Sequence, residues 1–545
     1  MEEEKKVEVK IDNLSAQEKK PARKPNLLEK ISYISLLASI FFLPLFFLPF
    51  QFAHFEFSKI LIVVIGVLIS LVFWSLVRIK EGKFEFPAAL LPLGALFVIF
   101  VYFLSSIFSG NNINSLIGNG FELGTFGLVF IGFALMFITS SIFRTKDKIF
   151  YSYIALFVSF IIIFLFQTAK IFLGPDFLPF GIFKDITFNT IGKWNDLGIY
   201  FGLIAILSIV TIELVKLGKL MRFFLYFTSF SSLFFITLIN FKVIWFVIIL
   251  FAILFLIYSI FLKKKGEARG AGNSSDGARK VSYVIIFFLI VSTVFIVDGF
   301  RSKHIVGDSI SGYFKISQFE VRPSFQGTLE VLKASFKENP VFGFGPNRFV
   351  NSWLLFKPDA VNNTIFWNSD FNYGVGIIPT FITTTGILGM ISWILFFGLF
   401  LYAGFKYIFV RVGNLFSRYL IISSFLASLY LWIVNVFYIP GVVIFFLTFF
   451  FTGLFIGALV NENLISIKIF SYSGNPRRSL ISIPVLVIVI VSSITGGYIY
   501  IQKFLSNIYF QKSLLSLNAA GNLDEALKYA AKAISLSKTD YYYRL

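Results

Sequence analysis

The feature that most constrains this chain is a succession of apolar runs, each about twenty residues long, separated by short polar or basic connections. About twenty residues of α-helix reach across the roughly 30 Å hydrocarbon core of a bilayer. No water is available there to satisfy peptide groups, so each run must close its hydrogen bonds internally as a helix. The sequence therefore predicts an all-α, polytopic transmembrane helical bundle of about thirteen spans. They lie near 31–52, 58–76, 88–108, 121–143, 149–173, 196–215, 220–239, 243–262, 281–297, 377–400, 419–437, 441–460 and 480–501. Composition agrees: 57% of residues are hydrophobic and 14% charged, against about half and a quarter in soluble domains.

The formal charge of +19 is what a membrane protein oriented by Lys and Arg carries, and no nucleic-acid partner is expected. Zero cysteines exclude disulfides, thiolate metal sites and a Cys nucleophile. The two histidines, His54 and His304, are too few for a His-rich centre, so neither a metal nor another cofactor is expected. Lys and Arg gather in alternate connections, at Arg78/Lys80/Lys83, Arg144/Lys146/Lys148, Lys216/Lys219/Arg222, 263–280, Lys406/Arg411/Arg418 and Lys468/Arg477/Arg478. The intervening ones hold little more than Lys59, Lys184, Lys193 and Lys242. This bias predicts a multi-pass protein of the cytoplasmic (inner) membrane, with its N-terminus inside and its C-terminus outside.

Three regions depart from the apolar pattern. Residues 1–30 mix acidic and basic side chains with Pro21 and Pro25 and read as a disordered cytoplasmic tail. The transmembrane domain occupies 31–502 and contains a large external loop at 299–376. Residues 503–545 read as an amphipathic helical segment outside the membrane. There Gly521-Asn522 makes a turn, and Ala526 and Ala533 are small enough for close helix packing. This segment looks like a tetratricopeptide repeat, the other reading being a helix pair on the membrane surface. One repeat cannot bury its own face, so it leans on the membrane domain, a second copy or a protein partner. The 377–410 run is too long for one straight span and holds Pro379 and three threonines. A re-entrant or interfacial piece followed by a true span fits it.

The external loop carries the candidate chemistry. Residues 324–337 read as an amphipathic helix with Phe325, Leu329, Leu332 and Phe336 on one face. Pro340 stops it, and Gly343-Phe-Gly345-Pro346 makes a turn that admits close backbone approach. Arg322, just before the helix, has a planar fork suited to a phosphate, or is a solvated loop arginine.

In this loop the chain resembles the O-antigen ligase and polymerase superfamily of bacterial cell-surface glycan assembly. The likeness rests on Arg322, Phe325, Glu338-Asn339-Pro340, Gly343, Gly345, Phe349 and, further on, Gly386-Ile-Leu-Gly389. Ser105 through Ser109 with Ser115-Leu-Ile-Gly118 is similar to the family's early external loop, and Gly192-Lys-Trp-Asn195-Asp-Leu-Gly to the opening of a later helix. The resemblance implies transfer of a glycan from an undecaprenyl-pyrophosphate donor, held in part by membrane lipid contacts, to a glycan acceptor not identified by the sequence. It implies Arg322, Lys242, Lys193 and Arg348 as binders of the donor pyrophosphate, and Pro340, Gly343 and Gly345 as residues that shape the loop. Lys170 either joins them or snorkels toward the surface. The family's early-loop arginine is absent, with Gly120-Phe-Glu122 in its place, and so is the histidine before the late helix. Asp370 is the nearest replacement base, making Arg322 and Asp370 the expected catalytic pair. A polymerase of the same fold, a carrier of lipid-linked sugars and a non-catalytic membrane scaffold are the competing functions.

Overall fold

The computed structural model of the protein describes residues 26–50, 55–118, 122–180, 182–267, 283–301, 305–316, 318, 320–410 and 414–537. The expected disordered tail, up to residue 25, and both histidines lie outside the described residues. The helices are α1 (Leu27–Phe42), α2 (Phe55–Glu81), α3 (Leu90–Ile107), α4 (Asn112–Leu116), α5 (Phe126–Ile142), α6 (Lys146–Leu173) and α7 (Trp194–Leu214). Next come α8 (Lys219–Ile239), α9 (Lys242–Glu267), α10 (Tyr283–Gly299), α11 (Ile305–Tyr313), α12 (Phe325–Glu338) and α13 (Phe349–Phe356). The chain ends with α14 (Ile377–Ile408), α15 (Leu415–Phe437), α16 (Val442–Asn461), α17 (Pro476–Ala520) and α18 (Leu523–Leu536). Two short strands, β1 (Lys83–Pro87) and β2 (Ile467–Ser471), pair antiparallel with Lys83 opposite Ser471.

The protein is an all-α membrane protein: among the described residues, nine helices are long and apolar enough to cross a bilayer, with α5, the Lys242–Tyr258 part of α9 and α10 as shorter apolar stretches. The expected 31–52 run differs. Its helix stops at Phe42, and Leu43, Pro44 and Leu45 turn the chain away, because Pro44 lacks the amide hydrogen that helix continuation needs.

Helix α16 forms the centre. It is apolar all round and buried along its membrane window, as a helix without a polar face must be. Its threonines are satisfied by neighbours on α15: Asn435 Nδ2 donates to Thr448 Oγ1 at 2.9 Å and Trp432 Nε1 to Thr452 Oγ1 at 3.0 Å. Its glycines admit α5, since a Cβ at Gly453 would sit 2.6 Å from the Met136 carbonyl oxygen and one at Gly457 2.3 Å from that of Phe143. Small residues let backbones meet where lipid offers no hydrophobic drive to association. A 20-residue helix thus separates two ends of the bundle: a sheet end bearing β1 and β2, and a loop end bearing the 299–376 segment.

That segment folds around a small core of Val331, Phe349 and Trp353. Helix α12 is present, with the Ser324 hydroxyl accepting the Gly327 N–H, and its apolar face is not the one most deeply buried. Gly327, Thr328, Val331 and Ser335 are buried, whereas Phe325 and Leu329 are exposed. The small face wins because it lets α12 close on the start of α14, where Thr328 Oγ1 accepts the Val375 N–H at 2.8 Å.

Helix α14 breaks at Gly386, whose φ of 71° and ψ of −164° are non-helical. A break leaves carbonyls unpaired on one side and amides on the other, which is costly in an apolar setting. The loop supplies both partners. Gly345 N–H donates to the Thr384 carbonyl at 2.9 Å, while the Pro340 and Val341 carbonyls accept from Ile387 and Leu388 at 2.8 and 3.3 Å. Gly343 has φ 63°, and a Cβ on it would stand 2.4 Å from the Thr384 carbonyl oxygen. The glycine turn and the Gly386–Gly389 motif are therefore one structural unit.

The last helix, α17, is continuous from Pro476 to Ala520, roughly 68 Å long at 1.5 Å per residue. Gly521 ends it in the left-handed conformation and Asn522 caps α18, which folds back against it. Ala526 and Ala533 are buried between them, and their carbonyls accept from Ser513 and Ser506 at 2.7 Å each.

Candidate functional site

At the loop end, the last residue of α15 and the four that join it to α16, Phe437-Tyr-Ile-Pro-Gly441, act as a hub. Arg322 Nη1 donates to the Phe437 carbonyl at 2.9 Å and to the Val375 carbonyl at 3.0 Å. Lys193 Nζ donates to the Ile439 carbonyl at 3.0 Å. Both cations stand over the Tyr438 ring, with Arg322 Cζ 5.5 Å and Lys193 Nζ 5.6 Å from its centroid. Arg322 also lies 5.8 Å from the Phe241 ring. Two residues expected from separate parts of the sequence thus share one aromatic ring, whose quadrupole favours positive charge.

Three helices begin around this hub. Helix α7 starts after Lys193, α14 after Gly376 and α16 after Gly441, and none of these N-cap residues caps its helix through a side chain. The Ile377 N–H donates to the Tyr438 carbonyl at 3.1 Å, and the Gly441 N–H to Asp196 Oδ2 at 3.0 Å. Each N-terminus contributes about half a positive charge, so the hub joins two cationic side chains to three positive helix ends. Arg322 is held through Nη1 alone. Its Nη2 and Nε have no hydrogen-bond partner among the described residues and keep part of the guanidinium fork available.

Carboxylates stand on the far side of the same group. Glu320 Oε1 lies 4.0 Å from Lys193 Nζ, and Asn195 Nδ2 donates to Glu320 Oε2 at 2.5 Å. Asp196 is buried, and its Oδ1 has no hydrogen-bond partner among the described residues. A Cβ on Gly441 would meet Asp196 Oδ2 at 2.5 Å and Glu56 Oε1 at 3.5 Å, so the two carboxylates flank that glycine. Burial, with Asp196 and Glu320 adding negative charge nearby, pushes the Tyr438 phenol well above its ordinary value and keeps it protonated.

The remaining expected residues lie elsewhere. Lys242 follows Phe241 directly, but its exposed side chain donates to the Gly299 carbonyl at 3.0 Å and closes the end of α10. Arg348 belongs to the contact between the loop and the early segment. It donates to the Phe344 carbonyl at 3.2 Å, beside Gly110, while Ser105 donates to the Phe342 carbonyl at 2.6 Å and Asn347 to Asn114 Oδ1 at 3.2 Å. Gly345 fits there because a Cβ would stand 2.2 Å from that of Ser109. Burial draws the Arg348 guanidinium below its ordinary value. Lys170 is buried and donates to the Asp185 and Phe188 carbonyls at 2.5 and 2.9 Å. Asp370 is exposed and has no ion-pair partner among the described residues; its neighbours Ser369 and Phe371 are pinned by Trp353. Among the described residues, no group of three or more His, Cys, Asp or Glu side chains is placed to hold a metal ion.

Sequence reasoning missed Tyr438, Glu320, Asp196 and Glu56. Asp196 sat inside the quoted Gly192–Gly198 motif, and Glu320 stands two residues before Arg322. A Pro-Gly pair with a tyrosine between two apolar runs was the available sign of the hub. No family model matches this chain, and no curated protein is similar to it.

Proposed function

We propose that the hub binds the pyrophosphate of a lipid-linked glycan, and that the protein transfers this glycan from undecaprenyl pyrophosphate to an acceptor on the outer face of the cytoplasmic membrane. The observation that carries this reading is the meeting of Arg322 and Lys193 over Tyr438 where α7, α14 and α16 begin. Phosphate oxygens suit helix N-termini, and a bidentate guanidinium suits two oxygens of one phosphate. Charge develops on the pyrophosphate as its bond to the sugar breaks, and fixed donors aimed at that charge lower the barrier.

An apolar surface for the lipid chain lies deeper in the bundle. An apolar crevice between α7, α9, α10 and α15 is lined by Ala205, Ile209, Ile248, Phe251, Phe288 and Leu426. It opens roughly 13–21 Å along α7 from Asp196, a distance a polyprenyl chain covers easily. Lys242 and Arg348 then serve elsewhere: the first fixes the α9–α10 end and the second the contact between loop and early segment.

The test is binding of undecaprenyl pyrophosphate to the purified full-length protein in nanodiscs. Binding should be saturable and should fall in Arg322→Ala and Lys193→Ala. Equal binding by these variants and the unmodified protein removes the reading.

A further inference from the structure

Glycan transfer to a hydroxyl needs a group that takes the acceptor's proton, and the histidine that the resemblance would supply is missing. We infer that Glu320 is that group, and that arrival of the donor pyrophosphate frees it. This inference rests on the donor reading above.

Three carboxylates compete for the role near the hub, and geometry separates them. Asp196 is 1% exposed and its Oδ2 is committed to the Gly441 N–H. Glu56 lies behind Gly441, beside Asp196. Glu320 retains 24% of its side-chain surface in solvent and stands 4.0 Å from one of the two cations assigned to the donor. Asp370 is accessible too, but no hydrogen bond or ion pair among the described residues joins it to Arg322 or Lys193. A base must reach a proton at about 3 Å, and of these carboxylates Glu320 is the one that combines solvent access with a place at the hub.

Its present partner explains how it is timed. Lys193 Nζ meets Glu320 as well as the Ile439 carbonyl and the Tyr438 ring. A doubly charged pyrophosphate competes with one carboxylate for the same ammonium, and the stronger anion takes it. Glu320, still oriented by Asn195, then turns to the acceptor hydroxyl. In the step itself the acceptor oxygen bonds to the anomeric carbon, and its proton passes to a Glu320 oxygen. The carbon–oxygen bond to pyrophosphate breaks, and its electron pair leaves on the pyrophosphate held by Arg322 and Lys193. Atoms and charge balance without an oxidant, a metal or a third reactant.

The experiment pairs two readouts on full-length protein. Glycan attachment at the cell surface is measured in a deletion strain carrying each variant, and undecaprenyl pyrophosphate binding is measured on the purified protein. Glu320→Gln keeps the side chain's shape and should bind undecaprenyl pyrophosphate as tightly as the unmodified protein or several-fold more tightly, because the internal competitor is gone. Attachment should fall by roughly 100-fold or more, the usual scale of general-base loss, with partial recovery in Glu320→Asp. Arg322→Ala should lose both. Retained attachment in Glu320→Gln overturns the inference, as does weakened binding in that variant, which would mark Glu320 as structural. Unchanged binding in Arg322→Ala would instead overturn the donor reading itself.

Discussion

The two ends of the bundle balance their cations differently: both use carbonyls, as where Arg144 donates to those of Ser140 and Glu85 and Lys148 to that of Ile142, but carboxylates gather at one end. At the sheet end Arg78 faces Glu81 at 3.1 Å, Glu85 at 3.7 Å and Glu29 at 3.9 Å. Arg144 meets Glu85 at 3.4 Å, Lys83 meets it at 2.5 Å, and Lys146 meets Glu462 at 3.4 Å. At the loop end the cations rest on peptide carbonyls: Arg322 on Val375 and Phe437, Lys193 on Ile439, Lys242 on Gly299, Lys59 on Leu43, and Lys503 on Ile117 and Gly118. Carboxylates are near some of them too: Glu320 stands 4.0 Å from Lys193, and Glu122 acts on Lys503. A carboxylate cancels the charge it binds, whereas a carbonyl fixes its position and leaves the charge in place. On the proposed reading, the sheet end holds the bundle together and the loop end receives an anion.

The strongest way to break this contrast is to exchange the expected consequences. Arg322→Ala should weaken undecaprenyl pyrophosphate binding by roughly 100-fold, from about two charge-assisted hydrogen bonds of about 1.5 kcal/mol each, with little change in thermal stability. Arg78→Ala should do the reverse. Removing one member of a largely buried ion network costs about 3 kcal/mol, so the melting temperature should drop while binding by the folded fraction holds. Should either variant show the other's behaviour, the division of roles between the ends is wrong. Gly343→Ala should cost about 1–3 kcal/mol, because its positive φ and the Thr384 carbonyl leave no room for a Cβ. It should undock the loop, read as faster proteolysis within 299–376. Lys242→Ala is the smallest case: its ammonium is fixed at the Gly299 carbonyl and joins none of the hub contacts given above, so binding should change by less than about threefold.

Much of the architecture was legible because bilayer physics writes it in composition. Each expected apolar run falls on a helix, the loop helix follows Ser324, and the 377–410 run, too long for one span, breaks at a glycine. The glycines of the loop were legible as close-approach positions, although not as the plug for that break. The hub was not legible, for a physical reason. Its contacts run from Arg322 and Lys193 to carbonyls of Phe437 and Ile439, more than a hundred residues away, and a carbonyl has no residue signature. The buried face of α12 was not legible either. The sequence puts Phe325 and Leu329 on one face, but close packing on α14 selected Gly327 and Thr328. The four-cation site read from the sequence resolves into one pair at the hub, with Lys242 and Arg348 bonded elsewhere.

The most direct test is a structure of the protein with undecaprenyl pyrophosphate bound in a lipid nanodisc. The account predicts the diphosphate over the Tyr438 ring, within about 3 Å of the Arg322 guanidinium and of Lys193 Nζ, with Glu320 released from Lys193. A diphosphate seated at Arg348 or Lys242, with Arg322 and Lys193 still bound only to their carbonyls, would contradict it.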